Sequence, residues 1–168
     1  CVLFGLMSGV GNDLFDPDGM TTRAMLVSIL YRMAGEPDVS ELPETPFEDV
    51  GPDAWYADAV RWAYANEVAA GMDDTHFAPD DRLTRAQLVT MLYRAYGPEK
   101  GVRPRPIGGY TDWNTVPEWA YPAATWAVSM GLLYGTSSTQ LSPNAGANRA
   151  QLAAFMMRTC ELQSELDA

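Results

Sequence analysis

The tetrapeptide Thr84-Arg85-Ala86-Gln87 has two related copies in this chain of 168 residues. They are Thr22-Arg23-Ala24-Met25 and Asn148-Arg149-Ala150-Gln151, and the three arginines are 62 and 64 residues apart. The agreement extends outward, because each arginine has a glycine fourteen residues before it and a second arginine nine residues after it. A fixed period of this length indicates a repeat architecture. The glycines are Gly9, Gly71 and Gly135, and the second arginines are Arg32, Arg94 and Arg158.

Composition limits the class of protein. A third of 168 residues is a marginal size for an independent unit, so we expect the copies to pack on one another. The apolar content of 47% and the charged content of 20% are typical of a globular protein. The net charge of −11 disfavours nucleic acid and anionic membranes as partners, since proteins that bind either concentrate positive charge. No apolar run reaches the ~18 residues of a membrane span.

Cysteines and acidic turns indicate neither a metal site nor a cofactor. Cys1 and Cys160 are too few for a disulfide framework and lie in no metal-spaced cluster. A bridge between them stays open, but we favour two unpaired or buried thiols. The segment 13–19 is not an EF-hand loop, because apolar Leu14 and Met25 would occupy ligand positions. We prefer solvated turns to a looser calcium site at Asp73, Asp74, Asp80 and Asp81.

Repeat 2 is the most complete copy and predicts two helices. The first covers residues 54–66, where Trp55 and Trp62 recur at helical spacing. The second runs from Thr84 to about Tyr96 and ends at Gly97. Repeat 3 follows the same plan, whereas repeat 1 keeps only the end of its first helix and closes at Gly35. The predicted division is 1–35 (repeat 1), 36–46 (linker), 47–97 (repeat 2), 98–109 (linker), 110–161 (repeat 3, its last helix from Asn148 to about Cys160) and 162–168 (an acidic tail expected to fray).

Part of the tetrapeptide is explained by helix capping. Thr84 and Gln87 form a predicted capping box, in which each side chain bonds the backbone N–H of the other residue. The cap residue contributes ~1 kcal/mol without any ligand. Asn148 and Gln151 repeat the box, while Thr22 keeps the cap without a reciprocating partner.

Capping does not explain the arginine. A cation at the first helical position opposes the helix dipole, at a cost of ~0.3–1 kcal/mol. Because free N–H groups also face outward at a helix start, Arg23, Arg85 and Arg149 predict pockets for a carboxylate or phosphate. The alternative, weighed about equally, is a pair with an aspartate of the preceding loop, although the loop before Arg149 has no acid. For the second arginines we favour a structural role, since they lie in the last turn on the opposite helix face. The candidate loop partners are Asp16, Asp18, Asp80 and Asp81.

Tryptophans and the lone histidine receive simpler interpretations. Spacing predicts that Trp62 and Trp126 are core residues, while Trp55 and Trp119 are candidates to edge a groove and stack on a sugar. His76 has no counterpart in the other repeats. The chain has no Cys/His pair of catalytic character, no phosphate-binding loop and no nucleophile elbow, so we expect no enzymatic activity.

The motifs of repeat 2 resemble the S-layer homology (SLH) domain family of bacterial surface proteins. They are Phe47-Glu48-Asp49-Val50, Trp55, Gly71, Phe77-Ala78-Pro79 and Leu83-Thr84-Arg85-Ala86-Gln87. The resemblance implies a mainly α fold of three tandem helix-loop-helix repeats, packed as a pseudo-threefold spindle with grooves between neighbours. It also implies that these grooves bind secondary cell wall polymer, commonly a glycan carrying pyruvate ketals, and that the motif arginine meets the pyruvate carboxylate.

Departures from the family pattern predict unequal sites. Met25 replaces the usual Glu or Gln, Asn148 replaces Thr, and residues 136–141 lack the acidic and aromatic character of the family loop. The first helix of repeat 1 is largely missing, because the chain opens mid-pattern like a piece of a longer protein. The repeat 2 site is the most complete.

We therefore expect a non-catalytic module that anchors a larger surface protein to the bacterial cell wall. Its partner would be peptidoglycan-linked glycan, its location extracellular, and the module itself monomeric. The alternative is a protein–protein module for S-layer or surface-complex assembly, in which the arginines are internal. The candidate ligand-binding residues are Arg23, Arg85, Arg149, Thr22, Thr84, Asn148, Gln87, Gln151, Gly9, Gly71, Gly135, Trp55 and Trp119.

Overall fold

The computed structural model of the chain describes Met7, residues 14–97 and residues 107–166, with side chains as far as Glu161. The described residues contain helices and isolated bridges but no β-strand, which confirms the predicted mainly α class. The α-helices are α1 (Arg23–Met33), α2 (Ala57–Ala65), α3 (Arg85–Tyr96), α4 (Tyr121–Ser129) and α5 (Arg149–Leu166), and Trp113–Thr115 and Glu118–Ala120 form 3₁₀ turns.

The helices begin and end close to the predicted residues, with two exceptions. Thr84 and Gln87 form the capping box of α3, and Gly35 ends α1 with φ of 85°. Helix α2 begins at Ala57 rather than at residue 54, because the preceding residues form successive turns. The prediction for the last helix was wrong, since α5 continues six residues beyond Cys160. No glycine interrupts this segment, and Glu, Leu and Gln propagate a helix well.

The three tetrapeptides pair with the loops of neighbouring repeats. Thr22 forms an antiparallel bridge with Arg82, and Thr84 forms the equivalent bridge with Gly146. Asn148 closes the series by pairing with Met20. Repeat 1 therefore contacts repeat 2, repeat 2 contacts repeat 3, and repeat 3 returns to repeat 1. These pairings give the molecule a cyclic, pseudo-threefold arrangement.

Helices also pair across repeat boundaries. Helix α1 packs against α2, and α3 packs against α4, so the second helix of one repeat contacts the first helix of the next. Tyr31 and Trp62 join the first pair with ring centroids 5.9 Å apart, and Tyr93 and Trp126 join the second pair at 5.4 Å. Trp62 and Trp126 are buried, which confirms their predicted place in the core.

An aspartate in each complete repeat fixes the loop that precedes the second helix. The Asp49 carboxylate accepts hydrogen bonds from the backbone N–H groups of Phe77 (2.8 Å) and Ala78 (2.7 Å). Asp112 accepts two equivalent bonds from residues 141 and 142, each 2.8 Å long. Ala78 has φ of 56° and its counterpart Ser142 has φ of 53°, an uncommon conformation outside glycine. The carboxylate therefore holds the loop in a conformation that the residue alone would disfavour.

Candidate functional site

Each motif arginine is buried and reaches into the loop of the next repeat. Arg23 is 3% exposed; its Nε donates to the carbonyl oxygen of Phe77 (2.8 Å) and its Nη2 to that of Ala70 (2.7 Å). The guanidinium carbon also lies 4.6 Å from the centroid of the Phe77 ring. The same pattern is repeated by Arg85, which bonds the carbonyl oxygens of Leu141 (3.1 Å) and Tyr134 (2.5 Å), and by Arg149, whose Nε bonds that of Phe15 (2.9 Å).

The alternative of an ion pair with a loop aspartate is wrong for two of the arginines. Among the described residues, no carboxylate lies within ion-pair distance of Arg23 or Arg85. Burial lowers the pKa of both guanidinium groups, and more distant acids such as Asp81 and Asp49 oppose that shift for Arg23. Each is therefore a desolvated cation whose nearest partners are neutral carbonyls. Such a charge favours a compensating anion.

The helix starts, in contrast, are not open to a ligand. In α3 the N–H of Arg85 donates to the carbonyl oxygen of Ala145 (3.0 Å), and that of Ala86 donates to Pro143 (2.8 Å). The third N–H, of Gln87, donates to the Thr84 hydroxyl (3.1 Å). The sequence-based expectation that free N–H groups assist anion binding is therefore wrong, because the neighbouring repeat already satisfies them. The first two N–H groups of α1 donate in the same way to the backbone carbonyl oxygens of Asp81 and Pro79. Those of α5 donate to the backbone carbonyl oxygens of Gly19 and Pro17.

The capping residues and glycines have structural explanations. Thr22, Thr84 and Asn148 each accept from a backbone N–H of their own helix, and none of them lines the grooves described below. A β-carbon on Gly71 would lie 2.6 Å from the Phe47 ring, and one on Gly135 would lie 2.6 Å from the Tyr110 ring. The loop thus passes too close to the aromatic residue of the motif for any side chain. Gly9 lies outside the described residues.

A groove of about 250 Å³, here named groove A, opens where residues of all three predicted repeats meet. Repeat 1 contributes Arg23, repeat 2 contributes its loop and one face of α3, and repeat 3 contributes Trp119. Two predicted ligand residues besides Arg23 and Trp119 are therefore brought together here, Gly71 and Gln87. The lining residues are Arg23, Ala70, Gly71, Met72, Gln87, Thr90, Met91, Arg94 and Trp119.

Two guanidinium groups are available in groove A. The Nη1 atom of Arg23 makes no hydrogen bond with the described residues and is not sealed from solvent. Arg94 is exposed, and within the described part of the chain its guanidinium has no hydrogen bond, ion pair or ring contact. Trp119, 54% exposed, offers an aromatic surface in the same groove. Two cationic groups and an aromatic wall suit an anionic sugar.

A second groove of about 180 Å³, here named groove B, is the counterpart one repeat further on. It contains Arg85 and Gln151, and Arg158 occupies the position that Arg94 has in groove A. Here the second arginine is engaged: Arg158 Nη1 donates to the Leu132 carbonyl oxygen (3.3 Å). Groove B is lined by Arg85, Leu132, Leu133, Tyr134, Gly135, Gln151, Ala154, Phe155 and Arg158.

Arg94 and Arg158 thus line the candidate grooves, although the sequence favoured a structural role for them. Their assignment to the opposite helix face was geometrically sound, but α3 lies between both grooves. Its first residue, Arg85, lines groove B, whereas Gln87 and Arg94 line groove A. The signal was present in the sequence, since Arg32, Arg94 and Arg158 recur at the same interval as the motif arginines.

The remaining candidates lie elsewhere. Trp55 is 64% exposed and packs edge-on against Tyr56, away from both described grooves. A further cavity beside the first linker contains Glu44 and Asp58, and its one cation, Arg61, is already bonded to linker carbonyl oxygens. That lining disfavours an anion.

No metal-binding group emerges from the described residues: nowhere do three or more His, Cys, Asp or Glu side chains come together in a way that could hold a metal ion. Cys160 is a free thiol, half-buried, and burial raises its pKa. No helix in the described ranges is long and apolar enough to cross a membrane.

Comparison with known proteins identifies the family of this chain. The model of the S-layer homology domain matches residues 46–89 and 109–153, slightly more than half of the chain. This chain therefore belongs to the S-layer homology family, with two repeats matched.

Several larger proteins contain a similar segment. The surface-layer 125 kDa protein of Lysinibacillus sphaericus is 32% identical over 164 residues, covering 94% of this chain and 13% of that protein. An endoglucanase of Bacillus sp. (strain KSM-635) is 31% identical over 144 residues, which are 84% of this chain but 15% of the enzyme. A cellulosome-anchoring protein of Acetivibrio thermocellus is 24% identical over 165 residues, 92% of this chain and 35% of that protein. The chain spans only a minor part of each relative.

Proposed function

We propose that this chain is a non-catalytic module that anchors a larger protein to the bacterial cell wall by binding an acidic secondary cell wall polysaccharide. The observation that carries the proposal is groove A, where Arg23 and Arg94, the latter without a partner among the described residues, face one cavity beside the exposed Trp119. A carboxylate such as that of a pyruvate ketal would accept from the guanidinium groups, and a sugar ring would stack on the indole. The cell surface is accordingly the proposed location.

The relatives support attachment to the cell surface and give no reason to assign a catalytic activity to this chain. Their names include surface-layer and cellulosome-anchoring proteins, and the matched segment is a small share of each. The endoglucanase shares only 15% of its length with this chain, so its activity needs no counterpart here. We infer that the shared segment supplies attachment rather than catalysis.

We also propose that residues 1–35 are a third repeat of the same family, shortened at its N-terminus. Three observations support this: the Thr22 cap, the buried Arg23, and the bridges that Met20 and Thr22 form with the other two repeats. Three repeats would give several weak sites on one polymer chain. Simultaneous engagement would then raise retention above that of any single groove.

The net charge of −11 acts against an anionic polymer at long range. Local cationic grooves resolve this conflict, since attraction inside a cleft is screened less than repulsion between exposed charges. At low salt the repulsion between the acidic surface and the polymer is screened least, so attachment should be weaker than the contacts in the grooves alone would give.

Arg94 provides the sharpest test, because it is exposed and holds no structural contact among the described residues. We expect Arg94→Gln to weaken co-sedimentation with Gram-positive sacculi about tenfold, the value of one charge-assisted contact, without changing the melting temperature. Arg82→Gln is the matched control, since Arg82 is also exposed but lines neither groove. Sacculi stripped of their secondary polymer, and sacculi with ketals removed by mild acid, separate polymer binding from pyruvate recognition.

A second candidate, a module for protein assembly at the surface, is favoured by one observation. Arg23 and Arg85 each donate two hydrogen bonds to carbonyl oxygens of the next repeat. Such contacts stabilise the fold rather than bind a ligand. Wild-type protein that ignores polymer-bearing sacculi but self-associates or binds S-layer protein would replace the glycan proposal with this one.

A further inference from the structure

Grooves A and B differ in several side chains, and one of these differences lies beside the second arginine. Ala70 in groove A and Tyr134 in groove B each follow the first helix of their repeat, and both line their groove. Their carbonyl oxygens accept the same bond from the motif arginine of the preceding repeat, 2.7 Å from Arg23 and 2.5 Å from Arg85. Because the backbone has the same role at both positions, only the side chain distinguishes them.

The tyrosine ring engages the second arginine of groove B. The guanidinium carbon of Arg158 lies 4.5 Å from the centroid of the Tyr134 ring, a cation–π contact. The same guanidinium donates through Nη1 to the Leu132 carbonyl oxygen. In groove A, Ala70 offers no ring, and Arg94 has none of these contacts among the described residues.

We propose that Tyr134 makes groove B the weaker anion site by holding Arg158, and that Ala70 leaves groove A as the principal one. This inference rests on the proposed function and names the residue that distinguishes its sites. A carboxylate entering groove B competes with an existing partner for the Arg158 cation. It also enters a smaller cavity, about 180 Å³ against about 250 Å³. A partly exposed cation–π contact corresponds to a loss of about 2- to 30-fold in affinity.

Ala70 and Tyr134 can be substituted without disturbing the core, because both side chains are exposed. The Tyr134 side chain is 57% exposed, and Ala70 is also at the surface, so neither forms part of the core. Tyr134→Ala should therefore release Arg158 without unfolding the loop. Ala70→Tyr should place a ring beside Arg94, as Tyr134 lies beside Arg158 in groove B. Tyr134→Phe keeps the ring and is the conservative control.

The test uses the full chain with groove A impaired by Arg94→Gln, so that the effect of a Tyr134 variant on groove B is a larger part of the binding measured. We expect Tyr134→Ala in this background to raise binding by about 2- to 30-fold, and Tyr134→Phe to leave it unchanged. In the wild-type background, Ala70→Tyr should lower binding by a similar factor. Melting temperatures identify any variant that loses its fold.

A second readout measures the restraint on Arg158 without any glycan. Phenylglyoxal modifies accessible guanidinium groups, and peptide mass spectrometry can follow Arg94 and Arg158 separately in one sample. We expect Arg158 to react more slowly than Arg94 in the wild type, and the difference to shrink in Tyr134→Ala but not in Tyr134→Phe.

The outcomes separate the two proposals. Wild-type protein that does not bind polymer-bearing sacculi overturns the proposed function, and the ranking of the grooves with it. Binding that responds to Arg94→Gln but gains nothing from Tyr134→Ala overturns this inference alone. A loss of binding in Tyr134→Ala also overturns it, since the ring would then be a platform for the sugar rather than a restraint on the arginine.

Discussion

At the scale of the residue, the carboxylate of Asp112 positions the loop that accepts a hydrogen bond from Arg85. It accepts from the N–H groups of Leu141 and Ser142, and these bonds hold the pKa of Asp112 below its ordinary value of 3.8. Leu141 in turn presents its carbonyl oxygen to Arg85. The aspartate therefore positions the loop that receives the arginine of the preceding repeat.

We predict that Asp112→Asn destabilises the protein by about 2 kcal/mol at neutral pH, because an amide cannot accept both bonds. A depressed folded pKa contributes stability above the unfolded value, which is lost as pH falls through the folded value. The difference in unfolding free energy between wild type and variant should therefore be full at pH 6 and shrink below pH ~4. Urea titrations across this range measure it.

Asp74→Asn is the control for this charge change, since Asp74 is exposed and makes no described hydrogen bond. A destabilisation by Asp112→Asn that persists undiminished at pH 2.5 would show that the carboxylate charge is not its cause. The glycine of the same loop, Gly135, is explained by packing, and its spacing alone had suggested a ligand role.

At the scale of the element, helix α3 both joins two repeats and lines groove A. Its first residue, Arg85, joins it to repeat 3, whereas Gln87 and Arg94 face groove A. Arg85→Ala leaves two carbonyl oxygens without a donor, so we predict a loss of about 3 kcal/mol in unfolding free energy. Arg94→Gln should change that free energy by less than about 0.5 kcal/mol.

Urea unfolding followed by circular dichroism checks this contrast in one experiment. Equal effects of Arg85→Ala and Arg94→Gln would contradict it. The distinction matters for any binding assay, because a loss of glycan binding in Arg85→Ala cannot be attributed to the ligand unless its stability is measured at the same time.

Local features of the helices could be predicted from the sequence, and contacts between repeats could not. The Thr84–Gln87 box and the end of α1 at Gly35 depend on residues a few positions apart, so propensity and spacing suffice. The partner of Arg85 N–H is Ala145, sixty residues away, and no local pattern specifies it. The same reason explains why Arg94 was assigned a structural role: its groove is completed by Arg23 and Trp119 from other repeats.

At the scale of the molecule, the repeats close into a ring. The last closure joins residues far apart in sequence: Arg149 Nε donates to the Phe15 carbonyl oxygen, and the N–H groups of Arg149 and Ala150 donate to Gly19 and Pro17. Repeat 1 also provides Tyr31, which packs against Trp62 of repeat 2. Each repeat therefore supplies groups that its neighbours need, as in other repeat proteins whose stability depends on interfaces.

We predict that deleting residues 1–35, about a fifth of the chain, costs far more than a fifth of the total free energy of unfolding. The deletion removes the partners of the α5 N-terminus, of Arg149 and of Trp62 together, and buried polar groups left without partners are each unfavourable by about 1–3 kcal/mol. The 36–168 fragment should lose the single cooperative urea transition expected of the full chain. Adding the 1–35 peptide in trans should restore part of it, because the ring can then close again. A fragment that unfolds at the same midpoint and with the same steepness as the full chain would show instead that repeats 2 and 3 fold as an independent pair, and that ring closure contributes nothing to their stability.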